Sequence, residues 1–501
     1  MPARGRGVRQ ASRLGRDIVG TRVTVEIDRT STHDEDVEAF SPPLCAGESL
    51  SCQLLVAGGG LSGLSAAEAA MRRGLDVIVI EKGIFGREAA SGLNAGQFLT
   101  GWVRPVPAML SELARQEQER GLRGDQAQTR AERRVRAFLR RTVEGCQRLA
   151  ALDHDYNLGA SVLHGAAIGA MNEAGMADVE ASYRFMEKGN FRTMMPASPQ
   201  RRQPFYQLLS ARAFQKRHGT AEGFYAGGGV VDRFGGSFRP RKLLHALGHA
   251  LQQGGVRFFQ STEAQALDFS DDHMTVFCDN GAAIRAHTLF MANAYARHIN
   301  GDVRERTIFN YNYVVEIELP KGANILPAEK VLSDTREPCF YSRRHDDRLY
   351  MGYEETAETS AEITREVARR TLEEGQRVFP ALRPLTVHDI KRAWSGAIYY
   401  TLDDYPFVER RHGGRVITFA APSDHGNSLA ARVGQLVGDL VADSVLASRT
   451  DEDNRRRRRD EEQLRLFEDF PKGPASAPPA LFANETNDIR LSAGHAQEQL
   501  Q

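Results

Sequence analysis

Three observations predict an α/β fold, with α+β character further along the chain. A short apolar run at 53–57 leads into glycine-rich sequence, a helical stretch follows at 61–73, and a second apolar run stands at 77–80. In that order they make a β-turn-α-β unit, the kind that opens a Rossmann-type dinucleotide-binding domain.

The remaining elements follow from periodicity. Residues 111–152 are charged and helical in period, with Leu113, Val135, Phe138, Leu139, Val143 and Leu149 expected inside. A helix at 242–253 ends at Gly254-Gly255, and strand-like runs occupy 275–278 and 289–292. Alternation of Tyr311, Tyr313, Val315 and Ile317 within 309–319 predicts a half-buried strand. A helix at 362–379, a strand at 416–420 and a closing helix at 428–444 complete the pattern, with no internal repeat.

A chain of 501 residues exceeds one ordinary core and predicts two domains with tails. Residues 1–48 are polar, basic and then acidic, and read as a loosely attached or disordered tail. The arginine block 455–459 and the Pro- and Ala-rich stretch after it place a disordered tail at 451–501, so deletion from 456 onward should leave stability largely intact. The folded unit is then 50–450. Formal net charge is zero, which gives no case for nucleic acid. No apolar run reaches the ~18 residues of a membrane span. Cys45, Cys52, Cys146, Cys278 and Cys339 are widely spaced without C-x-x-C, so neither a disulfide framework nor a metal site is expected. A reducing, cytoplasmic setting is the default, with organelle import the alternative raised by Arg4, Arg6, Arg9, Arg13 and Arg16.

Function is carried by Val56-Ala57-Gly58-Gly59-Gly60-Leu61-Ser62-Gly63. Gly58, Gly60 and Gly63 match G-x-G-x-x-G between a strand and a helix: the first for the tight turn, the second for approach to a pyrophosphate, the third for helix–strand packing. Free N–H groups at the start of the helix face the phosphates. Glu81, at the end of the next strand, stands where a ribose hydroxyl is accepted and argues against a 2′-phosphate.

Downstream, Ala90-Ser91-Gly92-Leu93-Asn94-Ala95-Gly96-Gln97 fits an A-S-G-R-N-G-G-Q frame, with Leu93 in place of Arg and Ala95 in place of Gly. Gly227-Gly228-Gly229-Val230-Val231-Asp232, Gly236-Ser237-Phe238-Arg239-Pro240, Met291-Ala292-Asn293-Ala294-Tyr295, Trp394-Ser395-Gly396-Ala397-Ile398 and Ser423-Asp424-His425-Gly426-Asn427-Ser428 follow in order. Over residues 50–445 the chain resembles the FAD-dependent D-amino-acid oxidase / glycine oxidase superfamily, nearest its γ-glutamylputrescine-oxidase-like branch. The resemblance implies a Rossmann-type FAD-binding domain (about 50–110, 225–300 and 390–445) and an interleaved antiparallel-sheet substrate domain (about 150–225 and 305–390). It implies non-covalent FAD, held by Lys82, Ser91, Asn94, Gln97, Asn293, His425, Gly426, Asn427 and Ser428 beside the glycine turn and Glu81.

The implied reaction is hydride transfer from the carbon beside an amine nitrogen to flavin N5, giving an imine that hydrolyses. The partners are a small amine or amino acid and molecular oxygen or another electron acceptor. The cofactor carries the chemistry, so no catalytic triad is needed. Trp394, Tyr399 and Tyr400 are candidates for an aromatic substrate wall, with Tyr311 and Tyr313 behind them, and Arg239 for holding a substrate carboxylate. Residues 186–206 add a basic segment that reads as a lid, a partner surface or a solvated loop. The alternatives are a flavin dehydrogenase serving a quinone or carrier protein, and a non-catalytic flavin-binding assembly factor. Gly60→Val puts a branched side chain at the pyrophosphate position and is expected to yield a folded protein without flavin absorbance; normal FAD content in that variant would move the site elsewhere.

Overall fold

The computed structural model describes residues 37–446 and 458–465, apart from 46, 89, 102–103, 196–203, 271–272, 293–295, 297–299, 402–404 and 423–424. Two sheets organise it. The first has eight strands, and its spine runs Phe407–Arg411, Val416–Ala420, Ala283–Met291, Ser49–Ala57, Val77–Ile80, Arg257–Phe259. The five strands from Val416–Ala420 to Arg257–Phe259 are parallel, and Phe407–Arg411 adds an antiparallel edge. Numbered along the chain, the parallel strands lie in the order 5-4-1-2-3, the arrangement of a Rossmann-type sheet. Their apolar runs are buried on both faces, as parallel strands covered by helices must be.

Two helices cover one face together. Leu61–Arg72 and Gly426–Val445 meet so closely that a Cβ on Gly434 would lie 2.1 Å from the Ser62 carbonyl oxygen. The hydroxyl of Ser65 donates to the Ala431 carbonyl at 2.6 Å across the same contact.

The second sheet has ten strands and is mostly antiparallel. Along its spine lie Glu355–Thr356, Thr307–Glu318, Arg348–Gly352, Tyr341–His345, Val331–Asp334, Leu163–Ala170, Gly228–Ser237 and Gln97–Phe98; Ile390–Thr401 branches from Thr307–Glu318 and Tyr206–Leu209 from Gly228–Ser237. An α/β dinucleotide domain with an interleaved, largely antiparallel second sheet is the predicted class. The partition differs at three places, because Gln97–Phe98, Gly228–Ser237 and Ile390–Thr401, expected in the cofactor domain, are strands of the second sheet. Gly228–Ser237 is glycine-rich because it is crowded: a Cβ on Gly229 would lie 2.4 Å from the Phe214 ring, and one on Gly236 would lie 2.0 Å from the Leu163 carbonyl oxygen.

The helix expected over 111–152 is two, Val106–Glu119 and Gly124–Asp155, broken where Gly121 takes φ +94°. All six positions predicted inside are buried in the main core. Among the described residues no helix is long and apolar enough to cross a membrane, and all five cysteines are free. In the 186–206 stretch, Phe191–Met194 forms a 3-10 turn, while Arg201 and Arg202 lie outside the described residues.

Parts of both expected tails are docked. Phe40 packs edge-on against Phe85 and Phe258, with centroids 5.0 Å away in each case, and its N–H donates to His245 Nδ1 at 3.0 Å. Residues 458–465 are helical, Leu464 is fully buried in the main core, and Arg432 donates to Gln463 Oε1 at 2.7 Å. The polar composition of the segment concealed one apolar anchor. Leu464→Ala should therefore lower stability by about 2–5 kcal/mol in urea unfolding, where a disordered tail would give no change. Burial, then Asp439 and Asp443, push Asp460 up to about 6. Its folded titration point lies above that of an unfolded aspartate, so its contribution is full below the ordinary aspartate range and falls as pH rises through about 6. The loss caused by Leu464→Ala should accordingly be larger at pH 5 than at pH 8.

Candidate active site

The first strand ends in a left-handed turn, with Gly58 at φ +122° and its N–H donating to the Ile80 carbonyl at 2.8 Å. A Cβ on Gly63 would lie 1.9 Å from the Gly58 carbonyl oxygen, so the helix seats on the turn only with glycine there. Glu81 closes the second strand, and its carboxylate accepts from Gly59 N–H at 2.8 Å and Gly83 N–H at 3.1 Å. Burial pushes its pKa up, and the backbone donors oppose that shift. Next to it Lys82 pairs with Glu263 at 2.8 Å.

The 90–97 segment crosses from this turn to the second sheet. Ser91 Oγ accepts from Leu61 N–H at 3.1 Å, tying the segment to the first helix. Asn94 Oδ1 accepts from Gly96 N–H at 2.7 Å. Gln97 spans two strands of the second sheet, donating to the Ser342 carbonyl at 2.9 Å and accepting from Ser333 Oγ at 3.0 Å.

The start of the helix Gly426–Val445 is fastened to the same segment. Asn427 Nδ2 donates to Asn94 Oδ1 at 3.1 Å and to the Gln97 carbonyl at 2.6 Å, and Ser428 Oγ donates to the Leu99 carbonyl at 2.9 Å. His425 caps this helix, and burial pushes its pKa down to about 3, so its ring is neutral. The helix start thus presents its positive dipole end beside a neutral imidazole.

These parts border one cavity of about 1770 Å³, well beyond the ~300–1,000 Å³ of an ordinary small-molecule pocket. Gly58, Gly60, Glu81 and Lys82 line one end, and Ser91, Asn94 and Gln97 line the middle with His425, Gly426 and Asn427. Gly63 and Ser428 act from behind, by packing and by the bond to Leu99. Asn293 lies outside the described residues, although its neighbour Ala292 is on the wall. The residues fit a dinucleotide: a glycine turn without Cβ obstruction, an acid at the next strand end, and room to spare beyond both. The described residues hold no group of His, Cys, Asp and Glu able to bind a metal ion.

The four candidates for substrate contact separate. Tyr399 lines the cavity and packs on Phe309 at 4.9 Å. Trp394 does not line it: 3% exposed, it donates from Nε1 to the Leu93 carbonyl at 2.8 Å and packs with Ala95, Val314 and Tyr350. Tyr400 does not line the cavity and donates to Glu355. Arg239 is away from the cavity, at the start of the helix Pro240–Gln253, with its N–H bonded to the Ala160 carbonyl at 2.8 Å. Tyr311 and Tyr313 are also off the wall, which instead carries Asn310, Asn312, Tyr341 and Glu355. Sequence reasoning missed these four. The available signal was the pair Asn310 and Asn312 alternating with Phe309, Tyr311 and Tyr313, and so on the face opposite those rings.

A family model described as FAD dependent oxidoreductase (DAO) matches residues 53–440. The Rhizobium meliloti (strain 1021) protein named "Probable oxidoreductase OrdL" is 25% identical over 404 residues, covering 80% of this chain and 85% of that one. The Gamma-glutamylputrescine oxidoreductase of Escherichia coli (strain K12) is 22% identical over 429 residues, covering 82% and 88%. Among solved structures, L-proline dehydrogenase from P. horikoshii shares the fold with a TM-score of 0.60 at 17% identity, covering 79% of this chain and 94% of that one.

The placement of Trp394 has a measurable consequence. Trp394→Ala removes a buried ring and orphans the Leu93 carbonyl, and is expected to cost about 3–5 kcal/mol in denaturant unfolding. A change below about 1 kcal/mol would show that the ring does not support the 90–97 segment.

Proposed function

The chain belongs to the FAD dependent oxidoreductase (DAO) family, and on that premise we propose that it oxidises a small amine or amino acid at the carbon beside nitrogen. The observation that carries the reading is the continuity of one cavity from the glycine turn, past the 90–97 segment, to the wall of the second sheet. Bound FAD supplies the acceptor for the hydride that leaves that carbon, and the imine product hydrolyses to a carbonyl compound. The name of the Escherichia coli relative, gamma-glutamylputrescine oxidoreductase, supports a nitrogen-bearing substrate.

The chain's own residues then bind and orient. Gly58 and Gly60 would leave space for the pyrophosphate, and Glu81 would accept from the ribose. Asn94, Gln97 and Asn427 fix the 90–97 segment, which would support the flavin ring system. The start of the helix Gly426–Val445 stabilises negative charge that accumulates beside it, which is worth most where water is excluded. Phe309, Ala397 and Tyr399 make an apolar stretch of wall that disfavours the ammonium form of the reacting nitrogen and so favours the neutral amine the reaction needs.

The test is anaerobic mixing of the yellow holoprotein with a panel of amines and amino acids, scored by loss of flavin absorbance. At least one class should bleach it. Return of colour on admitting air assigns oxygen as acceptor, and return only with a quinone assigns a dehydrogenase. A panel that never bleaches bound FAD would overturn the enzymatic reading in favour of a flavin-binding assembly role.

A further inference from the structure

The stretch just before the first strand is anchored in two cores. Phe40, 3% exposed, belongs to the main core, with Leu54 and Val56 of the first strand. Cys45, fully buried, belongs to a second core, with Leu55 and Ala57 of the same strand. Alternate residues of a strand point to opposite faces, so the two cores lie on opposite faces of the parallel sheet. Between Phe40 and Cys45 the chain passes from one face to the other. The crossing is marked by Pro43, whose carbonyl accepts at 3.1 Å from the N–H of Gln260, the residue after the end strand Arg257–Phe259.

Gln260 is shared between this strap and the dinucleotide site. Its Nε2 donates to Ser41 Oγ at 3.1 Å, and its Oε1 accepts from Phe85 N–H at 3.2 Å. The next two residues bond to the loop that carries the acid: Ser261 N–H donates to the Gly83 carbonyl at 3.1 Å, and Thr262 N–H to the Glu81 carbonyl at 2.9 Å. Thr262 and Glu263 line the cavity with Glu81 and Lys82.

The ring of Phe40 reaches the same place by packing. It meets Phe85 edge-on at 5.0 Å. Phe85 in turn backs the glycine turn: a Cβ on Gly59 would lie 2.6 Å from its ring and 3.3 Å from Glu81 Oε2. Gly59 N–H is also a donor to that carboxylate. On its other side Phe40 is tightly fitted, since a Cβ on Gly248 would lie 2.5 Å from its ring. Removing the ring leaves a void behind Phe85, into which the loop and the turn can relax.

We propose that residues 40–45 form a strap that retains the cofactor, with Phe40 a positioning residue for FAD that acts through Phe85 and Gln260 on the glycine turn and Glu81. The partners of the strap belong to the cofactor end of the cavity, so it sets how tightly FAD is kept and not how fast bound FAD is reduced. The inference rests on membership of an FAD-dependent family and is independent of the substrate. A strap that tightens FAD must itself be tightened by FAD to the same degree.

FAD is titrated into apoprotein and followed by flavin fluorescence, in full chains carrying Phe40→Ala, Phe40→Leu or Leu464→Ala. Phe40→Ala should raise the Kd for FAD at least about tenfold, equivalent to about 1.4 kcal/mol. Phe40→Leu should recover part of that loss. Leu464→Ala removes another buried apolar anchor, remote from Glu81, and should leave the Kd unchanged. An unchanged Kd in Phe40→Ala overturns the assignment. So does an equal rise in Leu464→Ala, which makes the effect one of general stability. Wild type supplies a measurement that needs no variant to fold: amide hydrogen exchange in the peptides containing Phe40 and Gln260, whose N–H groups bond to His245 and Pro43. Exchange there should slow at least about tenfold when FAD is added. Exchange indifferent to bound FAD overturns the strap and leaves the cofactor reading standing. Apoprotein that takes up no FAD overturns both.

Discussion

Gly434 has no room for a side chain, and neither has Gly438, whose Cβ would lie 2.4 Å from the Ala66 carbonyl oxygen. The helices Leu61–Arg72 and Gly426–Val445 therefore touch backbone to backbone. That contact joins the glycine turn at 58–63 to the helix start at 425–428, parts of the site that are far apart in sequence. Ser62 extends it to the next parallel strand by donating to the Ala292 carbonyl at 3.2 Å. With the helices at that separation, Asn427 reaches Asn94 and Gln97, and the two ends of the cavity come into register. A larger residue in the contact would move the helix start away from the segment it holds.

The second sheet uses a different device. Thr307–Glu318 and Ile390–Thr401 pair antiparallel almost throughout, from Thr307↔Thr401 to Ile317↔Ile390. One face of this ribbon carries Trp394, Gly396, Ile398 and Tyr400 in succession, and each meets a different environment. Leu93 and Ala95 cover Trp394, the missing side chain of Gly396 admits Leu93, Ile398 borders the cavity, and Tyr400 meets Glu355 from an adjoining edge strand. A single alternation thus runs from core, past the 90–97 segment, to the cavity wall within about seven residues' length of strand.

This graded ribbon shows where reading the sequence succeeds and where it stops. The glycine turn and Glu81 were legible because their chemistry is local: a strand end, a turn that demands φ > 0, and an acid one strand later. The helix Gly426–Val445 and its start were legible from the resemblance, and their side chains border the cavity. Trp394, Tyr399 and Tyr400 were grouped by residue type, yet only Tyr399 reaches the wall, because what covers each ring is supplied by residues about 45 or 300 positions away. Arg239 is set aside by the course of the chain between the sheets, which composition does not encode. Glu355 was invisible for the same reason: a lone acid in a short edge strand joins the wall only through its pairing with Asn312. Leu464 shows the converse, since one leucine within a charged segment suffices to dock a turn or two of helix.

The clasp between Leu61–Arg72 and Gly426–Val445 also bears on how the chain is made. Synthesis proceeds from the N-terminus, so the glycine turn and Leu61–Arg72 leave the ribosome long before Gly426–Val445. Until then the side of the early helix that Gly426–Val445 covers is open, and the strand Val416–Ala420 that completes the parallel core is missing. The site cannot close on a nascent chain, however early its signature emerges. Closure of the cavity is thereby postponed until Gly426–Val445 has emerged, although the glycine turn is made early.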